Sequence, residues 1–248
     1  MSKRGSFTAE TIPGAAERYR LEGIRVRRAA SGDAAPLRVL EKSVARLAKL
    51  FGRAQAPARV DRIVVGLGNP GDGYANTRHN AGFQVASRLA KRARAEFAIK
   101  AAESRIAEAR VGDVRVAIAR PQTFMNDSGR AVRKLLDRYR LDPSSLLVVF
   151  DEIDLPLGKI RIRDRGGPGT HNGMRSIVAE VGEGFPRVRV GVAPADPSAE
   201  IGELAEYVLE PFDADERPVA EAQMARAAEA VEVALRDGIA RAMEKFNG

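Results

Sequence analysis

An α/β fold is predicted for this chain from three observations. From residue 60 onward, short apolar or β-branched runs alternate with stretches of helical spacing. One run, Leu146 to Phe150, is apolar throughout, as befits a central strand covered on both faces. A glycine-rich turn, Gly66-Leu-Gly-Asn-Pro-Gly71, follows directly on the run Ile63 to Val65, and in open α/β sheets such strand ends carry the polar groups. Together they describe a single domain with a mixed, mostly parallel twisted sheet and helices on both faces, preceded by a basic N-terminal helical extension.

The extension covers 1–59. It holds 13 Lys and Arg against 5 Asp and Glu, while the remaining residues hold 28 against 28, so the whole formal charge of +8 lies in it. Within it, Leu37, Leu40, Val44, Leu47 and Phe51 recur at helical steps after Pro36, with Arg38, Lys42, Arg46, Lys49 and Arg53 opposite, which predicts an amphipathic helix near 36–53. Such a helix can meet RNA, a partner groove or an anionic surface, or simply dock its apolar stripe on the body. The linker Gln55-Ala-Pro-Ala-Arg59 leads into the body, 60–248.

In the body, Asn80 to Ala95 has helical spacing at Phe83, Val85, Ala86, Leu89 and Ala90. Arg105 to Arg120 alternates across a Gly112-Asp113 turn and reads as a hairpin. Asp127 or Ser128 caps a helix running through Tyr139. After the strand at Leu146 to Phe150, strands are expected at Ile160 to Arg163 and Val188 to Val192, around a helix from Met174 to Val181. Two helices, near Asp213 to Leu235 and Asp237 to Phe246, close the chain.

Several chemistries are excluded by composition. With no cysteine, disulfides and thiolate catalysis are absent; with two distant histidines and no H-E-x-x-H, a catalytic zinc is not expected. No stretch approaches a membrane span, and the opening residues, with Glu10 and Glu17, resemble neither a secretory nor a transit peptide, which suggests a cytoplasmic protein. Gly66, Gly68 and Gly71 spell G-x-G-x-x-G, but Pro70 removes an amide that a pyrophosphate needs. Where a ribose-binding acid belongs, about 20 residues on, stand Arg88, Lys91 and Arg92. There is no G-x-S-x-G elbow for a serine nucleophile.

What remains is a set of polar groups at loop edges: Asn69, His79, Asn126, Asp151 and Asn172. Each alone has a structural reading. Asn69 could close its turn through an Asx hydrogen bond, Asn126 could open a helix, and Asp151 could pair with an arginine.

The strings GLGNPGDGYANTRHNAG, RPQTFMNDSG, DEIDLPLGKIRIR and GTHNGMRSI resemble, in order and spacing, those of bacterial-type peptidyl-tRNA hydrolases. The resemblance covers about 61–245. It implies a monomeric esterase without metal or other cofactor that hydrolyses peptidyl-tRNA released prematurely from ribosomes. By that resemblance His79 is the catalytic histidine, Asp151 its carboxylate, and Asn69 and Asn126 positioning amides. Tyr74, Met125, Asn172 and His171 are substrate-binding, and Arg163 and Arg189 hold tRNA phosphates. Lys159, Arg161 and Arg165, along the strand of Arg163 and the loop after it, are expected from their position to add charge for the tRNA backbone. Leu204 to Asp215 resembles the family's lid. Thr170 departs from the family's usual glycine, and Phe150 stands where His or Tyr is frequent. The competing expectation is a non-hydrolytic RNA-binding protein of the same fold, resembling plant organellar splicing factors, for which the basic extension is the support.

Overall fold

The computed structural model describes residues 59–196 and 198–248. The helix expected near 36–53 lies outside the described residues. A seven-stranded sheet is ordered β2-β3-β4-β1-β5-β7-β6, from β1 (Arg62–Gly66), β2 (Ile99–Ala101), β3 (Ser104–Val111), β4 (Val114–Pro121), β5 (Leu146–Pro156), β6 (Ile160–Arg163) and β7 (Arg187–Ala193). The central neighbours β4, β1, β5 and β7 run parallel, and the outer pairings β2–β3, β3–β4 and β6–β7 are antiparallel. The sheet is therefore mixed, as expected, with its parallel part in the middle.

Both faces are covered. Val64 points into one apolar cluster with α1 (Ala81–Arg92), α5 (Arg217–Asp237) and α6 (Ile239–Phe246). Ile63 and Val65 point into the other, with α2 (Ser128–Tyr139) and α3 (Asn172–Val181). This double burial explains why the hairpin does not alternate on β4: Val116, Ala117, Ile118 and Ala119 are all buried. A short helix, α4 (Leu204–Leu209), was not foreseen.

Two other expectations shift. Asp127 precedes α2 without a side-chain capping bond; Ser128 Oγ instead donates to the Met125 carbonyl at 2.8 Å. The strand expected to stop at Phe150 continues to Pro156. Its polar residues suggested an end, but Asp151 and Glu152 stay paired with Val190 and Gly191 of β7.

The glycines of the first motif have a packing role. A Cβ on Gly66 would lie 2.1 Å from the Gly82 carbonyl oxygen, and one on Gly82 would lie 2.3 Å from both Leu67 N and Val149 O. Helix α1 thus docks backbone to backbone on the end of β1, which sets the turn before it at the carboxyl edge of the sheet.

Candidate active site

The chain leaves β1 but keeps to the sheet, with Leu67 N donating to Val149 O at 2.9 Å. Two residues on, Asn69 is locked by Asn80. The Asn69 amide donates to Asn80 Oδ1 at 2.8 Å, and Asn80 Nδ2 donates to the Asn69 carbonyl at 3.0 Å. Asn69 Oδ1 accepts the Met125 amide at 2.8 Å. Its acceptor oxygen is therefore committed, and its Nδ2 is the group left to face the cavity that Asn69 lines.

His79 is the middle residue of the 3-10 turn Arg78–Asn80, held by buried neighbours on both sides. Arg78, 2% exposed, donates to Glu216 at 2.7 Å and to the Pro211 carbonyl at 2.9 Å, and stacks 4.2 Å from the Tyr207 ring. It thus fastens this turn to α4, which carries Tyr207, and to the residues leading into α5. Sequence reasoning missed Arg78 and Asn80. Their position on either side of the only histidine in the first motif was the available signal.

His79 Nδ1 lies 2.8 Å from Asp151 Oδ2, and His171 Nε2 lies 3.0 Å from Asp151 Oδ1. One buried carboxylate thus bridges both histidines of the chain. His171 precedes α3, where its Nδ1 accepts the Met174 amide at 3.2 Å. A ring nitrogen that accepts leaves the proton on the other, so His171 Nε2–H donates to Asp151. Phe150 packs edge-on to this ring, with centroids 4.9 Å apart. His171, expected on the substrate, is therefore also a partner of the carboxylate.

Burial alone would raise the Asp151 carboxyl, but the two imidazoles, His171 before His79, outweigh it and hold the group well below the usual carboxylate range. For His79, burial favours the neutral ring, yet the Asp151 carboxylate and its hydrogen bond prevail and raise it above the ordinary 6.5.

A cavity of about 780 Å³ opens on these groups. It gathers Asn69, His79, Met125, Asn126, Asp151, His171 and Asn172, with Phe124, Leu204, Val208 and Leu209 as an apolar rim. Phe124 is 58% exposed. Gly173 permits the close approach of α3, since a Cβ there would lie 2.6 Å from Met125 Sδ. Arg175 and Glu152 also line the cavity and were not singled out from sequence, although both sit inside the recognised strings.

Tyr74, expected at the substrate, is not among the residues lining the cavity. It lies on the preceding turn, where its carbonyl accepts Thr77 Oγ1 at 2.9 Å. Lys159, Arg163, Arg165 and Arg189 lie outside the cavity as well. The first three are exposed, and Arg189 pairs with Glu152 at 2.7 Å. Arg163 and Arg187 face each other across β6 and β7, but the buried Arg187 guanidinium is taken by the carbonyls of Glu183, Phe185, Gly166 and Gly167.

Donor atoms of His79, Asp151 and His171 lie within 4.8 Å of one another, a set that could suggest a metal centre. The Met174 bond argues otherwise. A cation at His171 Nε2 would need that nitrogen's lone pair, which would move the proton to Nδ1 and break the bond to the Met174 amide. The donor set is instead that of a carboxylate holding two imidazole N–H groups.

Residues 63–248 match the family model described as Peptidyl-tRNA hydrolase. The chain is 50% identical over 187 residues to a peptidyl-tRNA hydrolase of Roseiflexus sp. (strain RS-1), covering 75% of this chain and 85% of that protein. It is 48% identical to one of Chloroflexus aurantiacus, covering 75% of this chain and 98% of the relative. Among solved structures, the peptidyl-tRNA hydrolase of Acinetobacter baumannii superposes with a TM-score of 0.70 at 31% identity, covering 75% of this chain and 94% of that one. This chain belongs to the peptidyl-tRNA hydrolase family.

Proposed function

We propose that the protein hydrolyses the ester between peptide and tRNA by a water that His79 activates, returning free tRNA to translation. The observation that carries this reading is the 2.8 Å contact of His79 Nδ1 with a buried, ionised Asp151. With the ring proton on Nδ1, Nε2, which has no partner among the described residues, is the base. Asp151 fixes that tautomer and stabilises the imidazolium that forms as the water proton is taken. An ester is activated compared with an amide, so an aimed water suffices without a covalent nucleophile. General-base assistance contributes about 10² to 10⁴ in rate. Asn126, exposed in the cavity, is the donor for the developing oxyanion, because the Met125 amide is already taken by Asn69.

Discrimination against aminoacyl-tRNA follows from the orientation of Asn69. With Oδ1 committed, the side chain offers only its N–H donors, which welcome the carbonyl of a peptide and repel the ammonium of a free amino acid. The apolar rim of Phe124, Leu204 and Leu209 gives the peptide a surface without demanding a particular sequence. Exposed Lys159, Arg163 and Arg165 lie where tRNA phosphates can be met by charge, with Arg189 poised between Glu152 and such a phosphate. Among the described residues no helix is long and apolar enough to cross a membrane. A monomer working in the cytoplasm is the setting this reading proposes.

The relatives and solved structures carry the hydrolase name, and the His79–Asp151 pair is in place, so the non-hydrolytic RNA-binding reading has no support. The test is release of tRNA from N-acyl-aminoacyl-tRNA in the presence of a chelator. Turnover of that substrate, with the free-amine form spared, is the expected result. Tight tRNA binding without turnover defeats the proposal.

A further inference from the structure

A second cleft of about 470 Å³ lies on the other side of the β1 turn, and Asn69 is a wall of both. Its floor is the outer hairpin of the sheet. Register places Lys100 of β2 opposite Arg105 of β3, and Arg105 opposite Arg120 of β4, so three cations stand abreast on adjacent strands. Like charges directly opposite one another are destabilising.

Elsewhere in the described sheet such pairs are relieved. Arg115, facing Arg110, pairs with Asp61 at 3.0 Å. Arg189, facing Arg161, pairs with Glu152, and Arg187, facing Arg163, is wrapped in carbonyls. The row at Lys100, Arg105 and Arg120 has no such relief: among the described residues none of the three forms an ion pair. Asp72, the one acid lining the cleft, pairs with none of them.

Arg120 is also pre-set. Its guanidinium lies 4.1 Å from the Phe97 ring centroid and donates once, to Ser87 Oγ at 3.2 Å, while its Nε is buried without a partner. A stacked, half-buried guanidinium with unused donors, beside a second arginine and Gln122, is the donor array that a phosphate recognises by bidentate bonds.

We propose that this cleft is a phosphate subsite for the RNA backbone of the substrate, held by Arg105 and Arg120 and entered past the Asn69 wall. The inference rests on the peptidyl-tRNA reading above and adds to it a contact on the side of the sheet opposite to Arg163 and Arg189. The subsite anchors the strand near the ester from a second direction. It carries no base specificity, as befits an enzyme that must accept every tRNA.

The test compares Arg105→Gln and Arg105→Glu with the parent protein on N-acyl-aminoacyl-tRNA and on the corresponding ester of adenosine alone, which carries no phosphate. Arg105→Glu places a carboxylate opposite Arg120, so it removes the repulsion and is expected to melt no lower than the parent. For the tRNA substrate, KM rises about tenfold in Arg105→Gln and further in Arg105→Glu, with kcat within about twofold. The slope of log affinity for deacylated tRNA against log salt falls by about one unit. The adenosine ester shows no comparable rise. An unchanged KM for the tRNA substrate in both folded variants overturns the subsite. So does an increase that appears equally with the adenosine ester, or only with acidic peptides, which would assign the arginines to the peptide. If inorganic phosphate protects the cleft against thermal unfolding while the tRNA KM is unmoved in both variants, the site takes a free phosphate and the RNA assignment is overturned. Absence of turnover by the parent protein would instead strike the hydrolase reading, so the two failures are distinguishable.

Discussion

Replacing Asp151 by asparagine tests the whole arrangement, because His171 decides which way the new amide must turn. His171 Nδ1 is held as an acceptor by the Met174 amide, so its Nε2–H remains a donor aimed at position 151. An asparagine there satisfies that donor only with its oxygen. Its NH₂ then faces His79 Nδ1 and makes that nitrogen the acceptor, which moves the proton to Nε2. The base now points the wrong end at the water. The expected loss in kcat is about 10² to 10⁴, the full worth of a general base, or roughly 3 to 5.5 kcal/mol in activation free energy. KM should change little, since Asp151 is 3% exposed and both its oxygens are engaged by the imidazoles.

The ionisation of His79 provides a second readout with a definite sign. In the parent protein the carboxylate raises His79 above 6.5 against the opposing effect of burial, so the acid limb of kcat/KM lies above that value and activity falls as the ring takes a proton there. Without the negative charge only burial remains, and the ring should titrate below 6.5. The chain has two histidines, so their ring proton signals are few enough to follow by NMR across pH, with His79→Ala assigning one of them. Replacing His171 by phenylalanine in the Asp151→Asn background frees the amide to turn its oxygen toward His79 and should recover part of kcat. Retention of kcat within about threefold in Asp151→Asn, or a His79 titration that does not move downward, would refute this account of the pair.

Three further outcomes are expected. His79→Ala should lose about 10² to 10⁴ in kcat while tRNA affinity, measured by filter binding, stays within about twofold; equal losses in both would make the histidine structural. Asn69→Asp keeps an acceptor for the Met125 amide but replaces the donor facing the cavity with an oxygen, so the preference for N-acylated over free-amine substrate should shrink by about tenfold or more in competition assays. Gly82→Ala sets a Cβ 2.3 Å from two backbone atoms and should destabilise the fold by about 3 kcal/mol or more in urea unfolding, because neither atom can yield without moving β1 or β5.

The division between what was legible in the sequence and what was not follows the distance over which a residue acts. Asn69 and Asp151 could be found because each stands close after an apolar run, although Asp151 lies within β5 and not at its end. The hairpin was equally legible. Counting outward from Gly112-Asp113, with Val111 opposite Val114, places Arg105 opposite Arg120, so the opposed cations follow from the hairpin's sequence alone. Arg78 could not be read in this way, because its partner Glu216 is 138 residues away and the adjacent string names only a turn. The same applies to His171, whose role depends on which ring nitrogen meets the start of α3.

The glycine fingerprint, excluded by Pro70 and the missing acid, has a packing cause instead. Gly66 and Gly82 answer a steric demand of helix against strand, and a nucleotide-binding turn makes the same demand. Pattern alone records the demand and not its cause. What separated the causes was Pro70 and the adjoining Asn69, whose backbone is clamped by Asn80 instead of being open to a pyrophosphate. The Met125 amide, bound to Asn69 Oδ1, in turn fixes which atoms of the Asn69 side chain are left for the cavity. On the proposed reading, the preference for peptidyl over aminoacyl substrate then depends on this one bond between residues 56 apart in sequence.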